Sequence, residues 1–383
     1  MSTSNAGFQY SVTRHTRTSR LGLGVAILLC IAFLLGPLWT DKASLELLTL
    51  IFAYMVLAQT WNMMAGYGGL VSAGQQAYVG AGGYFLFLFA IGMEINLFAQ
   101  SDSFSGNLSI HGVNPLVAIV LAGLICAVIS IPIAFLMFRL RGAYFAIGTW
   151  VIADVCRQLF FQLQHLGGGS GYSLPAKLAK STYGIDWVKS TLDVKSSLAR
   201  VIVTYEIATV LMILVMAAIY LILRSRYGLR LAAIRDNERA ARSVGINQTA
   251  IKYFVYVIAA LVTGMTGALI FLNKLRISPD AAFSLQDWTA YVIFIVVIGG
   301  LGTMEGPIIG VIVYFVLREF LADFATWYLI ILGLTAIVFM LYAPHGIWGM
   351  IHNRWGIQLF PVQKRLILHD ELRSSNQISD NKT

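Results

Sequence analysis

Long apolar runs separated by short polar segments dominate the chain. A run of roughly 20 apolar residues is long enough to cross a membrane as a helix. Seven such runs are clear, and three shorter ones follow in the C-terminal third; the ten are 21–39, 45–65, 75–93, 114–138, 143–163, 201–223, 253–272, 288–300, 306–322 and 326–343. This pattern predicts an all-α polytopic integral membrane protein with about ten transmembrane helices, some of them broken or short.

The composition agrees with that prediction. Of the 383 residues, 58% are hydrophobic and only 12% are charged, whereas a soluble domain carries about 25% charged residues. So little charge excludes a water-soluble enzyme, a free nucleic-acid binder and a disordered regulator. The net charge of +9 therefore indicates cytoplasmic loops and contact with anionic lipid, not nucleic acid.

Basic residues in the connecting segments predict the orientation. With the N-terminus inside, the inner segments hold 17 Lys and Arg and the outer segments hold 8, which is the bias expected for cytoplasmic termini. The predicted division is a tail over 1–20, a transmembrane domain over 21–350 and a tail over 351–383. Within the domain, 224–252 is a cytoplasmic loop and 167–199 an outer one. The latter is either a docking surface for an external partner or an ordinary solvated loop.

Two glycine-rich segments interrupt the apolar pattern, at 66–83 and 299–307. Irregular backbone at membrane depth survives only where protein or a water-filled cavity covers it, and paired breaks point to a translocation path. The alternative is close helix packing. We favour packing for Gly80 and Gly83, and a functional break for the segment 66–74. The candidate pathway residues in these segments are Gly68, Gly69, Ser72, Gly74, Gln75, Gln76, Gly299, Gly300 and Gly302.

Charged residues inside the predicted spans require a partner. Asp154 and Arg157 lie three residues apart in one span, on the same helical face, so they are expected to pair. Either they stand beside the pathway or a gate, or they form a structural ion pair. Glu206 lies near the outer end of the sixth span, where it reaches the interface.

The loop over 224–252 predicts a short amphipathic helix that ends near Gly245. Leu231, Ile234 and Ala241 share one side of it. The charged residues lie mostly elsewhere; they are Arg235, Asp236, Glu238, Arg239 and Arg242. Such a helix either lies on lipid or fits a groove on a soluble partner. The mixture of acidic and basic residues favours the protein partner.

No catalytic or nucleotide-binding pattern is present. The chain has no G-x-x-x-x-G-K-[ST] motif, no G-x-S-x-G motif and no Cys/His cluster suited to zinc. We therefore expect a protein that is not an enzyme and that binds no metal or cofactor itself. Any ATP and Mg²⁺ would be bound by partner subunits.

Several stretches together resemble the LivM-type permease of branched-chain amino-acid ABC importers. They are WNMMAGYGGLVSAGQQAYVGAGGY (61–84), RLRGAYFAIGTWVIADVCRQ (139–158), GGGSGY (167–172), RYGLRLAAIRDNERAARSVGIN (226–247), GGLGTMEGPIIG (299–310) and APHGIWGM (343–350). The resemblance implies a multi-pass subunit of the bacterial inner membrane that pairs with a LivH-type permease subunit. It also implies two cytoplasmic ABC ATPases and a periplasmic or lipoprotein substrate-binding protein. The 226–247 loop is then the segment that couples to an ATPase, with Gly245 at its end.

The leading hypothesis is thus a permease subunit for branched-chain or other neutral amino acids. Urea and short amides would fit an uncharged pathway equally well. A stand-alone secondary transporter that uses Asp154 or Glu206, and a structural subunit of a larger membrane complex, are the competing classes.

Overall fold

The computed structural model describes residues 10–13, 17–92, 94–96, 107–109, 112–164, 167–175, 182–321, 327–343, 345–355, 359–362 and 365–368. The expected tails over 1–20 and 351–383 and the outer loop over 167–199 therefore lie partly outside the described residues. The helices are α1 (Arg17–Leu34), α2 (Lys42–Asn62), α3 (Gln75–Ile91), α4 (Pro115–Met137), α5 (Ala143–Phe161), α6 (Ile185–Leu192), α7 (Ser196–Arg224), α8 (Arg226–Asp236), α9 (Glu238–Ser243), α10 (Gln248–Lys274), α11 (Pro279–Ala282), α12 (Tyr291–Gly299), α13 (Gly306–Leu321), α14 (Trp327–Tyr342) and α15 (Gly346–Trp355).

Polar side chains fix where several helices begin. Asp41 accepts a hydrogen bond from the backbone of Ala43 at the start of α2, and Asn114 accepts one from Leu116 before α4. Ser225, Asn237 and Asn247 cap α8, α9 and α10 in the same way. Each cap satisfies a backbone N–H that has no partner within its helix, so the helix starts follow directly from short polar residues in the sequence.

Helix α10 lies at the centre of the bundle, where it packs against α3 and α4 and also against α2. Small residues permit the α3 crossing: a Cβ at Gly82 would collide with the backbone of Gly264, and one at Gly267 with the backbone of Val79. The predicted packing role of Gly80 and Gly83 is also confirmed, because a Cβ there would overlap the rings of Phe283 and Phe271.

Apolar side chains also cover much of the outer surface. Leu28, Val128, Leu214 and Leu334 are 60–67% exposed on α1, α4, α7 and α14, as expected for helices that face lipid. Five helical stretches, at 42–67, 115–137, 196–224, 248–274 and 279–299, are long and apolar enough to span a membrane. The protein is therefore an all-α multi-pass membrane protein, and the count of ten spans stays a prediction.

Three short antiparallel sheets join the ends of the bundle. In the first, β1 (Tyr10–Thr13) pairs with β6 (Arg365–Leu368), so these two segments lie side by side. The second pairs β2 (Glu94–Asn96) with β3 (Asn107–Ser109). In the third, β4 (Tyr172–Ser173) pairs with β5 (Arg276–Ile277) and ties the GGGSGY turn to the end of α10.

The predicted break in the helix over 66–74 is present but begins two residues later, because α2 continues as a π-helical turn over Met63–Tyr67 and the irregular backbone covers 68–74. One local expectation was wrong. The 224–252 loop contains two helices, α8 and α9, in place of one, because Asn237 adopts an extended conformation and caps the second.

Candidate functional site

Two interrupted segments of the membrane domain meet the 224–252 loop at one place. The segment 62–69, the loop 300–305 and Arg235 form this contact, which we call the glycine junction. Arg235, near the end of α8, donates from Nη1 to the backbone oxygen of Gly66 over 2.9 Å and from Nε to Asp236 Oδ1 over 3.2 Å. The loop predicted to couple to a partner is thus hydrogen-bonded to the end of α2.

Amide side chains of α2 hold the 300–305 loop. Asn62 Nδ2 donates to the backbone oxygen of Thr303 over 2.7 Å, and Asn62 Oδ1 accepts from Gly302 N over 2.8 Å. One turn earlier, Gln59 Nε2 donates to the backbone oxygen of Met304 over 2.6 Å. Gly302 has a φ of +77°, which side-chain-bearing residues rarely adopt, and a Cβ at Gly66 would collide with it. Glycine is therefore required on both sides of the contact.

Glu305 fastens the C-terminal segment to the same loop. Its Oε1 accepts backbone hydrogen bonds from Leu359 over 3.0 Å and from Phe360 over 2.8 Å, and the residue is 6% exposed. Burial raises the pKa of this carboxyl, and the two N–H donors offset part of the rise. The glycine junction is consequently joined to α2, α8 and the segment that leads to the C-terminus.

The remaining candidates of the first glycine segment are packed between helices. Trp61 Nε1 donates to the backbone oxygen of Ser72 over 2.8 Å, and Gly74 lies against the backbone of Thr149 on α5. Gln75 Nε2 donates to the backbone oxygen of Leu57 over 3.1 Å, while Gln76 accepts a hydrogen bond from Thr289. These polar side chains are almost fully buried and fix α3 against α2 and the start of α12.

Apart from Gly74, the glycine candidates of both segments lie at or beside the glycine junction. Gly68 follows the π-helical turn, and Gly69, with a φ of +68°, contacts Arg235. Gly299 ends α12 where its Cα faces the backbone of Gly306, and Gly300 has a φ of +133°. The structure therefore brings together two sequence segments that the glycine pattern had singled out separately.

Asp154 and Arg157 lie away from the glycine junction, on α5. Arg157 Nε contacts Asp154 Oδ1 at 2.9 Å, as the spacing predicted, and its Nη1 contacts Asp280 Oδ1 of α11 at the same distance. The side chains of Arg157, Asp154 and Asp280 are 28%, 55% and 74% exposed. We call these three residues the α5 ion triad. The carboxylate of Asp280 gives the triad a net negative charge, whereas the expected pair of Asp154 and Arg157 would be neutral.

The coupling candidates have different environments. Leu231, Ile234 and Ala241 are buried, as their spacing predicted. Glu238 pairs with Lys252, and its backbone oxygen accepts a hydrogen bond from Gln248. The exposed Arg239 and Arg242 have no carboxylate partner among the described residues. Gly245 follows α9 with a φ of +81°, which fits its predicted place at the end of the helix.

Several residues of these contacts were not singled out from the sequence, among them Gln59, Asn62, Asp280 and Glu305. Gln59 and Asn62 gave a usable signal, since two amides three residues apart inside an apolar run require partners. The described residues contain no group of three or more His, Cys, Asp or Glu that could hold a metal ion.

Comparisons with known proteins find relatives over most of the chain. The chain is 28% identical to the high-affinity branched-chain amino acid transport system permease protein LivM of Salmonella typhimurium, over 82% of this chain and 72% of that protein. It is 26% identical to the protein of the same name from Escherichia coli, over 88% and 76% of the two chains. A probable LivH permease protein of Methanocaldococcus jannaschii is 24% identical over 38% of this chain and 48% of its own. No solved structure matches.

The family described as "Branched-chain amino acid transport system / permease component" matches residues 44–341. That range contains the glycine junction, the α5 ion triad and the whole of the 224–252 loop. The relatives are transport permeases, a non-enzymatic class of membrane component. The chain therefore belongs to the family of branched-chain amino acid transport permeases and is of the LivM type.

Proposed function

We propose that this protein is one half of the membrane pathway of a binding-protein-dependent ABC importer for branched-chain or other neutral amino acids. Its partners are a LivH-type permease subunit, two cytoplasmic ABC ATPases that bind ATP and Mg²⁺, and a periplasmic or lipoprotein substrate-binding protein. It resides in the bacterial inner membrane with both termini in the cytoplasm. The family membership supports the class of transport, and the following contacts support the mechanism.

The hydrogen bond from Arg235 to Gly66 is the observation that carries the mechanism. Closure of the ATPase dimer would displace α8 and α9, because these helices lie outside the bundle and expose Arg239, Arg242 and Val244. Arg235 would transmit this displacement to the end of α2, and Asn62 would pass it to the 300–305 loop. Two interrupted segments would then move together, so that the pathway alternates between inward-open and outward-open states.

Helix α5 supports a pathway shared with a second subunit. Its outer part exposes Asp154, Gln158 and Gln162 at intervals of four residues, on one side of the helix. Charged and amide groups are costly in contact with lipid, so this face requires water or a partner protein beside it. A pathway between this subunit and a LivH-type subunit provides both.

The experiment is affinity purification of the tagged chain from its native membrane, with mass spectrometry of co-purifying proteins, an ATPase assay and uptake in proteoliposomes. The proposal predicts one membrane protein of similar size, two P-loop ATPases and ATP-dependent uptake of leucine that requires the binding protein. Uptake without ATPases would instead identify a secondary transporter. ATP-dependent uptake of urea or short amides, and not of leucine, would retain the ABC permease and overturn the amino-acid substrate.

A further inference from the structure

A cavity lies beside the glycine junction, and Tyr67 and residues 302–305 of the junction form part of its wall. This cavity has a volume of about 1020 Å³. Its walls come from the end of α7 and the first two turns of α8, from the 302–305 loop, and from α15 together with residues 360–362. We call it the arginine pocket. Any molecule bound there contacts α8, the 302–305 loop and the C-terminal segment at once.

Three arginines line the arginine pocket: Arg224, Arg226 and Arg230. None of them has a carboxylate partner among the residues that the structure describes. Arg224 instead donates to the hydroxyl of Tyr220 over 3.1 Å and lies over its ring, and Arg230 lies 5.8 Å from the ring centroid of Tyr227. Contacts of this kind leave most of the guanidinium N–H groups available to another acceptor.

The nearby acidic groups are already engaged. Glu305, the one carboxylate among the described residues that line the pocket, accepts the two backbone hydrogen bonds from Leu359 and Phe360. Asp236 pairs with Arg235, and Glu238 pairs with Lys252. Arg226 and Arg230 are four residues apart on α8, a spacing at which like charges repel. The pocket therefore holds an excess of positive charge that nothing else in the described structure neutralises.

We propose that the arginine pocket binds a phosphate-bearing anion that regulates transport. Guanidinium groups bind phosphate oxygens through paired, charge-assisted hydrogen bonds, and three of them suit a ligand of more than one negative charge. Trp348 and Phe360 supply apolar walls for the rest of the molecule. An anionic lipid headgroup and a free phosphate compound share this chemistry. The arginines follow directly on the end of the spanning helix α7, a position where a lipid headgroup can reach them.

The position of the pocket explains how such a ligand would regulate transport. It would bind α8 just ahead of Arg235 and would contact Gly302 and Thr303 of the glycine junction. A bound anion therefore holds α8 against the 302–305 loop and changes how readily the two move. The binding site itself does not depend on which substrate is transported, so it stands apart from the proposed function.

The test uses the full-length chain in nanodiscs at about 0.15 M salt, with two probes. Retained phosphatidylglycerol is measured by native mass spectrometry after transfer to phosphatidylcholine nanodiscs, and pyrophosphate binding is measured by calorimetry. The double variant R226Q/R230Q is expected to lose roughly tenfold or more in affinity or retention. R139Q/R141Q removes two inner-loop arginines outside the pocket and is the matched control, expected to bind as the unmodified protein does.

A second variant tests the cavity without a change of charge. Ala232 lines the pocket, and Ala232→Trp places a large side chain in it while all three arginines remain, so it should also reduce binding. Retention of phosphatidylglycerol alone identifies a lipid headgroup as the ligand, and binding of pyrophosphate alone identifies a soluble phosphate compound. Binding of neither probe, equal loss in both double variants, or full binding by Ala232→Trp would overturn the proposal. Melting curves of each variant establish that it is folded.

Discussion

At the scale of single residues, Asn62 is the amide on which the glycine junction depends. Its two hydrogen bonds reach Gly302 and Thr303, and no backbone donor or acceptor replaces them. Asn62→Leu leaves both loop groups without a partner, so we expect the free energy of unfolding to fall by about 1–3 kcal/mol. Thermal unfolding of the detergent-purified chain measures this.

Thr209→Val is the matched control for Asn62→Leu. The Thr209 hydroxyl is buried and donates to the backbone oxygen of Tyr205 over 2.9 Å within α7, where the helix supplies a backbone donor to the same oxygen. The control should cost less than about 1 kcal/mol. Equal losses in the two variants would mean that Asn62 has no special part in holding the loop.

Arg157 is the residue that the α5 ion triad cannot lose. It contacts both carboxylates, so Arg157→Gln leaves two negative groups side by side, whereas Asp154→Asn preserves the contact between Arg157 and Asp280. We expect Arg157→Gln to reduce uptake and complex yield several-fold and Asp154→Asn to change them by less than about twofold.

The double variant D154N/R157Q separates the two explanations of this group. It should be less damaging than Arg157→Gln alone if charge balance is what matters, because one carboxylate remains in place of two. Should Asp154→Asn abolish uptake as fully as the double variant does, Asp154 would act on substrate directly. Both comparisons use uptake per amount of assembled complex.

At the scale of helices, the crossing of α3 and α10 requires the absence of a side chain. A Cβ at Gly82 would collide with the backbone of Gly264, and backbone cannot move aside as a flexible side chain does. Gly82→Ala is therefore expected to destabilise the protein by about 1–3 kcal/mol, measured as a lower melting temperature and a lower yield of monodisperse protein.

Gly333→Ala provides the control on α14. Beyond the backbone of its own helix, no described atom lies within 4 Å of a Cβ built at Gly333, so alanine should be neutral or should stabilise the helix by up to about 1 kcal/mol. Loss of stability in both variants would show that the position of the glycine on a membrane helix, and not the crossing, determines the effect.

Helix positions were predictable because apolar length and polar caps act locally. The run predicted over 143–163 is α5 (Ala143–Phe161), and the run over 114–138 is α4 (Pro115–Met137). The pairing of Asp154 with Arg157 was likewise predictable, since it is set within one helix. The contact of Asp280 with Arg157 joins residues 123 positions apart, and no local pattern predicts it.

The same difference between local and long-range contacts explains why the glycine junction was predicted only in part. The glycine pattern identified both of its halves, but their meeting depends on Asn62, which lies 240 positions from Gly302. The division of the 224–252 loop into two helices was missed because the Asn237 cap, with its hydrogen bonds to Arg239 and Ala240, interrupts a stretch of residues that otherwise favour one helix.

At the scale of the whole molecule, the outer surface of α8 and α9 should be the docking surface for an ATPase. Val244 is 74% exposed at the end of α9, where it offers an apolar side chain to a partner protein. Val244→Lys should reduce the amount of ATPase that co-purifies at least several-fold without a change in melting temperature.

Ser243→Lys introduces the same side chain one position earlier and is the control for Val244→Lys. Ser243 is exposed and its hydroxyl donates to the backbone oxygen of Ala240, so it offers no apolar contact to a partner. Equal ATPase recovery from the unmodified chain and from Val244→Lys would place the docking surface elsewhere.

The most direct test of the central claim is the number of leucine molecules moved per ATP hydrolysed by the reconstituted complex. Arg235→Met removes the hydrogen bond to Gly66 while leaving the exposed face of α8 and α9 in place; Arg141→Met removes an inner-loop arginine elsewhere. We expect the ratio to fall by about tenfold for Arg235→Met, with ATP hydrolysis retained, and to stay constant for Arg141→Met. An unchanged ratio in Arg235→Met would contradict the claim that the glycine junction transmits ATPase movement to the pathway.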